Sequence, residues 1–206
     1  PSEVCWNSGS PSGTRRRRLR RNSGGQIEQR WYEVKDNERL HAVSQLLAHF
    51  RPASTLAFCN TKVQCRDLVA VLQAQGISAL ALFGELEQRE RDQVLVRFSN
   101  RSCSVLVATD VAARGLDIAN LEAVINVDVT PDPEVHVHRI GRTGRAGESG
   151  LAFNLVSMDE MGSVGKIEVL QGRESVWHPL SELTPSQPGQ PLVPPMVTLH
   201  IQGGRK

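Results

Sequence analysis

Short, unbroken apolar runs alternate with helix-patterned stretches along most of this chain, and no other feature constrains the fold as much. STLAFC (54–59), ISALAL (77–82), SVLVA (104–108), AVINV (123–127) and LAFNLV (151–156) read as strands. Residues 27–34, with Trp31 and Tyr32, alternate as one more strand. Between them lie amphipathic segments. Asp36 is placed to cap a helix running to Phe50, with Leu40, Val43, Leu46 and Leu47 on one face. Asn60 or Thr61 caps the next helix, whose stripe is Leu68, Val69, Val71 and Leu72 and whose end is marked by Gly76. Further helices are expected over 88–98 and 134–140, with a weaker one over 158–171. A strand that is apolar throughout is covered on both faces, as in parallel sheets. The expected class is α/β: a parallel sheet with helices on both faces and right-handed crossovers.

The flanks differ from this centre. Residues 1–25 are rich in Ser, Gly, Pro and Arg without apolar periodicity, and are expected to be a disordered Arg-rich tail. Six arginines (Arg15 to Arg18, Arg20, Arg21) against Glu3 give this segment +5, so with a whole-chain charge of +2 the remainder carries −3. Bulk charge therefore gives no reason to expect nucleic-acid binding by the folded part, and anion binding must come from local clusters. The arginine run itself can bind RNA without sequence preference, or be a solvated tail. Residues 176–195 are expected to be a Pro-rich linker, with five prolines within 184–195. Residues 196–206 open with the alternating MVTLHI and are expected to start a further domain. No run of 18 apolar residues is present, so no membrane span is expected. No secretory leader opens the chain, and Cys5, Cys59, Cys65 and Cys103 lack metal spacing. A reduced, cytoplasmic chain is the simplest reading.

Ligands of open parallel sheets bind beyond the carboxyl ends of the strands. Three segments stand there. Thr109 to Asp117 packs a hydroxyl, two carboxylates, Arg114 and Gly115 into one strand-to-helix turn, which an ordinary capped turn would also explain. His138 to Gly147 combines Arg139, Arg142 and Arg145 with three glycines. Arginines three apart lie on nearly one face of a helical turn, and converging guanidiniums suit a polyphosphate. Gly84 to Arg91 is a helix start with acids in its first turn, which capping alone explains. No GxxxxGK[ST] loop, no GxGxxG after a strand and no evident acid pair for magnesium accompany them. The chain carries phosphate-binding arginines without a loop to cradle the phosphates.

With these segments the chain resembles the second RecA-like domain of DEAD-box RNA helicases, over about residues 26–175. Leu56 to Lys62 resembles motif IV, Gln88 with Arg91 the QxxR motif, Val107 to Asp110 through Arg114 to Asp117 motif V, and His138 to Arg145 a full motif VI. The wording of 132–138, of 86–93 and of the terminal MVTLHIQGGRK resembles a bacterial branch with an appended RNA-binding domain, acting in large ribosomal subunit assembly. Phe83 stands where the family usually has histidine. The resemblance implies a RecA-like parallel sheet and an ATP-dependent RNA helicase. Arg142 and Arg145 would be fingers reaching ATP held on the first RecA-like domain, His138 and Arg139 would couple to that domain's catalytic carboxylates, and Asp117 would bond the ribose, with Gly115 beside it. Asn60, Gly84, Gln88, Arg91, Thr109 and Arg114 would face the RNA backbone. ATP with Mg would be held mainly by the first domain, so this chain alone is expected to be inactive. Expected partners are RNA, ribosomal RNA in particular, and the N-terminal RecA-like domain; the protein is expected to be a monomer, without a membrane. Two rivals stand beside this reading: a non-catalytic RNA-binding or partner-docking domain, and a helicase domain of the DNA-translocating type.

Overall fold

The computed structural model describes residues 27–118, 121–145 and 147–185. The tail expected at 1–25 and the domain start expected at 196–206 lie outside the described residues, as do residues 186–195 of the expected linker. Among the described residues, six strands form one sheet: β1 (Ile27–Glu33), β2 (Thr55–Phe58), β3 (Ala79–Leu82), β4 (Val105–Ala108), β5 (Ala123–Asn126) and β6 (Gly150–Val156). Their order is β1-β6-β5-β2-β4-β3, and every pairing is parallel. The fold is the expected RecA-like parallel sheet with helices on both faces.

Successive side chains of a strand point to opposite faces, so each apolar run feeds two cores. Ala57, Val107, Ile125 and Phe153 face α1 (Arg39–Phe50) and α2 (Lys62–Ala74), meeting Val43, Leu46, Leu68 and Leu72. Leu56, Phe58, Leu106, Ala108 and Val124 face the other way, against Phe98 of α3 (Gln88–Ser99) and Ala112 and Ala113 of α4 (Asp110–Ala113). On that second side Val164 and Ile167 of α6 (Met161–Gln171) pack on Trp31 and Val156. α5 (Pro133–Ile140) precedes β6, with Asp132 Oδ1 capping it by accepting the Glu134 N–H at 2.9 Å.

Two helices begin later than their sequence pattern implies. Residues 36–38 and 158–160 each form a separate 3₁₀ turn before α1 and α6. Thr61, rather than Asn60, caps α2: its Oγ1 accepts the Gln64 N–H at 3.3 Å, which leaves the Asn60 side chain free for longer-range bonds. Gly76 follows α2 with φ of +77°, a conformation an L side chain resists.

Residues 176–185, the start of the stretch read as a linker, lie against the domain. Leu183 is buried in the α1–α2 core, and the His49 ring nitrogen Nδ1 lies 2.6 Å from Thr184 O. No helix among the described residues is long and apolar enough to cross a membrane.

Candidate functional site

The carboxyl ends of β2, β4 and β5 meet around a single buried side chain, Arg139, which is 2% exposed. A guanidinium has five N–H donors in a rigid fork, and each finds an acceptor here. Nε donates to Asp110 Oδ1 at 2.7 Å and Nη2 to Asp110 Oδ2 at 2.6 Å. Nη2 also donates to Asn60 Oδ1 at 2.9 Å. Nη1 donates to Asp128 O at 2.8 Å and Asn126 Oδ1 at 3.4 Å. The guanidinium lies 5.2 Å from the Phe58 ring centroid. One residue thus ties α5 to the ends of β2, β4 and β5, and it has no donor left for a facing domain.

The expectation that Arg139, Arg142 and Arg145 share one helical face is not met. α5 ends at Ile140 because the backbone turns at Gly141, and its last turn is closed by the Gly141 N–H donating to Val137 O at 3.0 Å. Arg139 therefore points into the domain, while Arg142 and Arg145 stand on the turn that follows. Arg142 reaches the 113–116 turn: Nη1 donates to Leu116 O and Nη2 to Ala113 O at 3.1 Å. Its guanidinium is held below its usual pKa, by burial first and by Arg145 second, with Asp117 opposing. Arg145 Nε donates to Gly141 O at 3.1 Å, and its Nη1 pairs with Asp117 Oδ1 at 3.3 Å. The Asp117 side chain is 94% exposed, and Gly115 beside it has φ of +75°. The structure brings Gly115, Asp117, Arg142 and Arg145 together from segments well apart in sequence. Thr143 anchors this turn from below, its buried hydroxyl donating to Leu121 O at 2.7 Å.

A cleft of about 140 Å³ lies next to this group, lined by Phe58, Asp110, Ala113, Arg114, Val135, His138, Arg139 and Arg142. His138 and Arg114 are both exposed there. On the far side of α4 stand the other residues singled out from sequence. Thr109 caps α4, its Oγ1 accepting the Ala112 N–H at 3.4 Å. Arg91 Nη2 donates to Ala112 O at 2.7 Å, joining α3 to α4. A Cβ on Gly84 would lie 3.8 Å from Val111, so the β3–α3 loop runs close over α4. Gln88 opens α3, exposed, its Nε2 donating to Asp92 Oδ1 at 2.8 Å. Lys62 pairs with Glu85 across the same edge, and the Arg66 guanidinium lies 5.2 Å from the centroid of the Phe83 ring. Gly84, Gln88, Arg91 and Thr109 thus follow two adjacent strands and stand along one edge, while the Asn60 side chain beyond β2 is committed to Arg139 and, through Nδ2 at 3.3 Å, to Val129 O.

Sequence reading missed the acceptors. Asn126 and Asn154 are buried inside apolar strands, joined by Asn126 Nδ2 donating to Asn154 Oδ1 at 2.7 Å. Asp128 accepts from the Asn60 N–H at 2.9 Å and from Gln64 Nε2 at 2.9 Å. Arg39 is also buried, pairing with Glu160 at 2.5 Å and donating to Val127 O at 2.7 Å. The available signal was an asparagine in the middle of LAFNLV and at the end of AVIN, since a buried amide needs a partner. Cys59, Cys65 and Cys103 are buried and free. The hydrogen bond with the neighbouring Cys65 thiol first, and burial second, push the Cys59 thiol far above its usual range.

The chain is similar to known proteins in both sequence and fold. The model of the family described as "Helicase conserved C-terminal domain" matches residues 38–147. The chain is 47% identical over 182 residues to the ATP-dependent RNA helicase DbpA of Escherichia coli K12, covering 87% of this chain and 39% of that protein. It is 42% identical over 142 residues to the DEAD-box ATP-dependent RNA helicase CshA of Bacillus cereus, covering 69% of this chain and 27% of that one. The chain thus spans well under half the length of these curated relatives. Among solved structures, the E. coli DEAD-box protein SrmB bound to regulator of ribonuclease activity A superposes with a TM-score of 0.72 at 32% identity, covering 79% of this chain and 96% of that one. A DEAD box protein from the hyperthermophile Methanococcus jannaschii superposes with a TM-score of 0.67 at 36% identity, over 74% of this chain and 42% of that one.

Proposed function

This chain belongs to the DEAD-box RNA helicases as a helicase C-terminal domain, and on that premise we propose that it supplies the second half of an ATP-driven RNA clamp. The observation that carries the reading is the convergence of Arg142, Arg145, Asp117 and Gly115 from two neighbouring turns, beside an edge formed by Gly84, Gln88, Arg91 and Thr109, with Asn60 at its β2 end held by Arg139. A nucleotide held by a facing RecA-like domain would meet two guanidiniums and one exposed carboxylate. That donor set fits a nucleotide: arginine binds phosphate oxygens bidentately, and Asp117 can accept a ribose hydroxyl. When bound, ATP with Mg supplies the bond to be broken and most of the phosphate charge. Arg142 and Arg145 would stabilise the charge on the transferring phosphoryl group. His138, exposed at the cleft, is the side chain free to couple to the facing domain. Arg139 would act as a positioning residue, since its donors are already used.

The second edge would hold RNA through phosphates and 2′-hydroxyls, which orients the strand without reading sequence. Arg114, between the two groups, would sense both. ATP and RNA would close the domains together, and hydrolysis would release them. The likeness of the terminal MVTLHIQGGRK to an appended RNA-binding domain supports ribosomal RNA as the target and large-subunit assembly, in the cytoplasm, as the setting. A monomer suffices for this work.

Two titrations of the full-length helicase test the assignment. Arg142→Ala should cut RNA-stimulated ATP turnover by on the order of 10³-fold while changing RNA affinity little. Thr109→Val should weaken RNA affinity first. Intact turnover in Arg142→Ala together with lost RNA binding would mean that the two faces are inverted.

A further inference from the structure

Trp177 is far along the chain from the Arg142–Arg145 turn, yet two ring contacts connect it to the helix that carries that turn. Residues 176–178 run along the free edge of β1. The Trp31 N–H donates to Val176 O at 3.1 Å, and Trp31 O accepts the His178 N–H at 2.8 Å. The Trp177 ring lies against Trp31, with centroids 6.0 Å apart and planes at 48°. Trp31 in turn stacks on His136 of α5, at 5.5 Å and 20°. His136 is fully buried, and its Nε2 lies 2.9 Å from Gln29 Oε1. Its Nδ1 has no hydrogen-bond partner among the described residues. With a single polar contact, the ring is oriented by packing, and its stack on Trp31 is part of that packing.

We infer that Trp177 is a positioning residue for the turn carrying Arg142 and Arg145, acting through Trp31 and His136; the inference rests on the function proposed above for that turn. α5 has only eight residues, so the His136 ring and the Arg139 guanidinium sit on one short element that packs on α6 and β5. His136 and Arg139 are three residues apart, about 4.5 Å along the helix, so a tilt at one moves the other. Arg139 must keep its five acceptors in place at once, and the Arg142–Arg145 turn starts two residues beyond it.

Trp177 is separable from the core. It is 41% exposed, whereas Trp31 is 2% exposed and keeps Val129, Val156, Val164 and Ile167 around it. The segment after Trp177 has its own anchors: His178 on Tyr32 at 5.8 Å, buried Leu183, and the Thr184 contact to His49. Removing the Trp177 ring should therefore loosen the stack without undocking the segment. A change in α5 alone would then report positioning, and a change everywhere would report stability.

The test uses amide exchange of the 206-residue chain and steady-state kinetics of the full-length helicase. In Trp177→Ala the amides of α5 should exchange about tenfold faster, with α1 and α2 unchanged. Trp177→Phe, which keeps a ring, should restore the original rates. In the full-length enzyme Trp177→Ala should lower the turnover number by about tenfold, since small displacements of reacting groups are costly, and leave RNA affinity within about twofold. Unchanged α5 exchange, or exchange accelerated equally in α1 and α2, would overturn the inference and leave Trp177 as cover for a sheet edge. Arg142→Ala measured in parallel separates the two claims: intact turnover there overturns the function assigned to the turn, whereas unchanged α5 exchange in Trp177→Ala overturns the positioning.

Discussion

Arg139 and Asp110 form a bidentate pair at 2.7 and 2.6 Å, across which the end of β4 is joined to α5. The arginine side is almost fully buried, at 1% exposure, while the carboxylate is 39% exposed. The pair thus lies at the inner rim of the cleft, with one partner committed to the domain and the other open to its surroundings. Asn60 and Asp128 O share the same guanidinium, so the three loops beyond β2, β4 and β5 have one common anchor.

Replacing Arg139 removes that anchor. Arg139→Lys offers three donors where five acceptors wait, and it cannot reproduce the planar fork. Leaving buried acceptors such as Asn126 Oδ1 and Asp128 O without a donor costs about 1–3 kcal/mol, so urea unfolding should show a loss of that order in the lysine variant. A lysine variant as stable as the parent would show that the network is dispensable.

Asp117 predicts the opposite pattern. Its carboxylate is exposed and its contact with Arg145 is at the surface, where ion pairs contribute little to stability. Asp117→Ala should leave the thermal midpoint unchanged. In the full-length helicase it should raise the KM for ATP several-fold, with RNA affinity unaffected. A normal KM would remove Asp117 from the nucleotide site.

His136 carries a pH dependence. Burial first, then Arg139 and Arg173, lower its pKa to about 4 from the usual 6.5. Between these values the unfolded chain binds a proton that the folded chain does not. Stability should therefore fall as pH drops from 6.5 toward 4, by up to about 3 kcal/mol from this group, and recover fully above 6.5. His136→Phe should flatten this part of the stability profile. An unchanged slope between pH 6.5 and 4 in that variant would assign the dependence to other groups.

Gly150 begins β6 directly under the turn that holds Arg142 and Arg145. A Cβ there would lie 2.5 Å from Gly144 N and 2.7 Å from Thr143 Cγ2, closer than real contacts allow. Gly150→Ala should cost roughly 1–3 kcal/mol, as overpacking does elsewhere, and should displace the turn. The expected readout is reduced ATP turnover in the full-length helicase at temperatures where the variant is still folded. Stability and turnover both at parent level would mean the turn can move without consequence.

The strands were legible because burial on both faces leaves a local signature. TLAF, VLVA and AVIN are apolar at every position or nearly so, and only a sheet covered on both sides needs that. Helix ends were legible where a cap is local, as at Thr61 and Gly76. The candidate site was legible as segments: Thr109 to Asp117 and His138 to Gly147 were already dense in charge and glycine. Which of their side chains turns inward was not legible. Arg139, Arg142 and Arg145 are alike in sequence, and only the end of α5 at Ile140 sends the first into the domain and leaves the other two on its rim.

What the sequence by itself determined was the set of elements and the chemistry available at the strand ends, because propensity, patterning and capping act over a few residues. The tertiary structure alone decided the pairings. Asn60, Asp110, Asn126 and Asp128 meet on Arg139 only because the strand order β5-β2-β4 brings their carboxyl ends side by side. Trp177 reaches Trp31 only because its segment lies against the outer edge of β1. Contacts of that kind span tens of residues of chain, and no local pattern encodes them: they exist once the sheet has closed and buried polar groups must find each other.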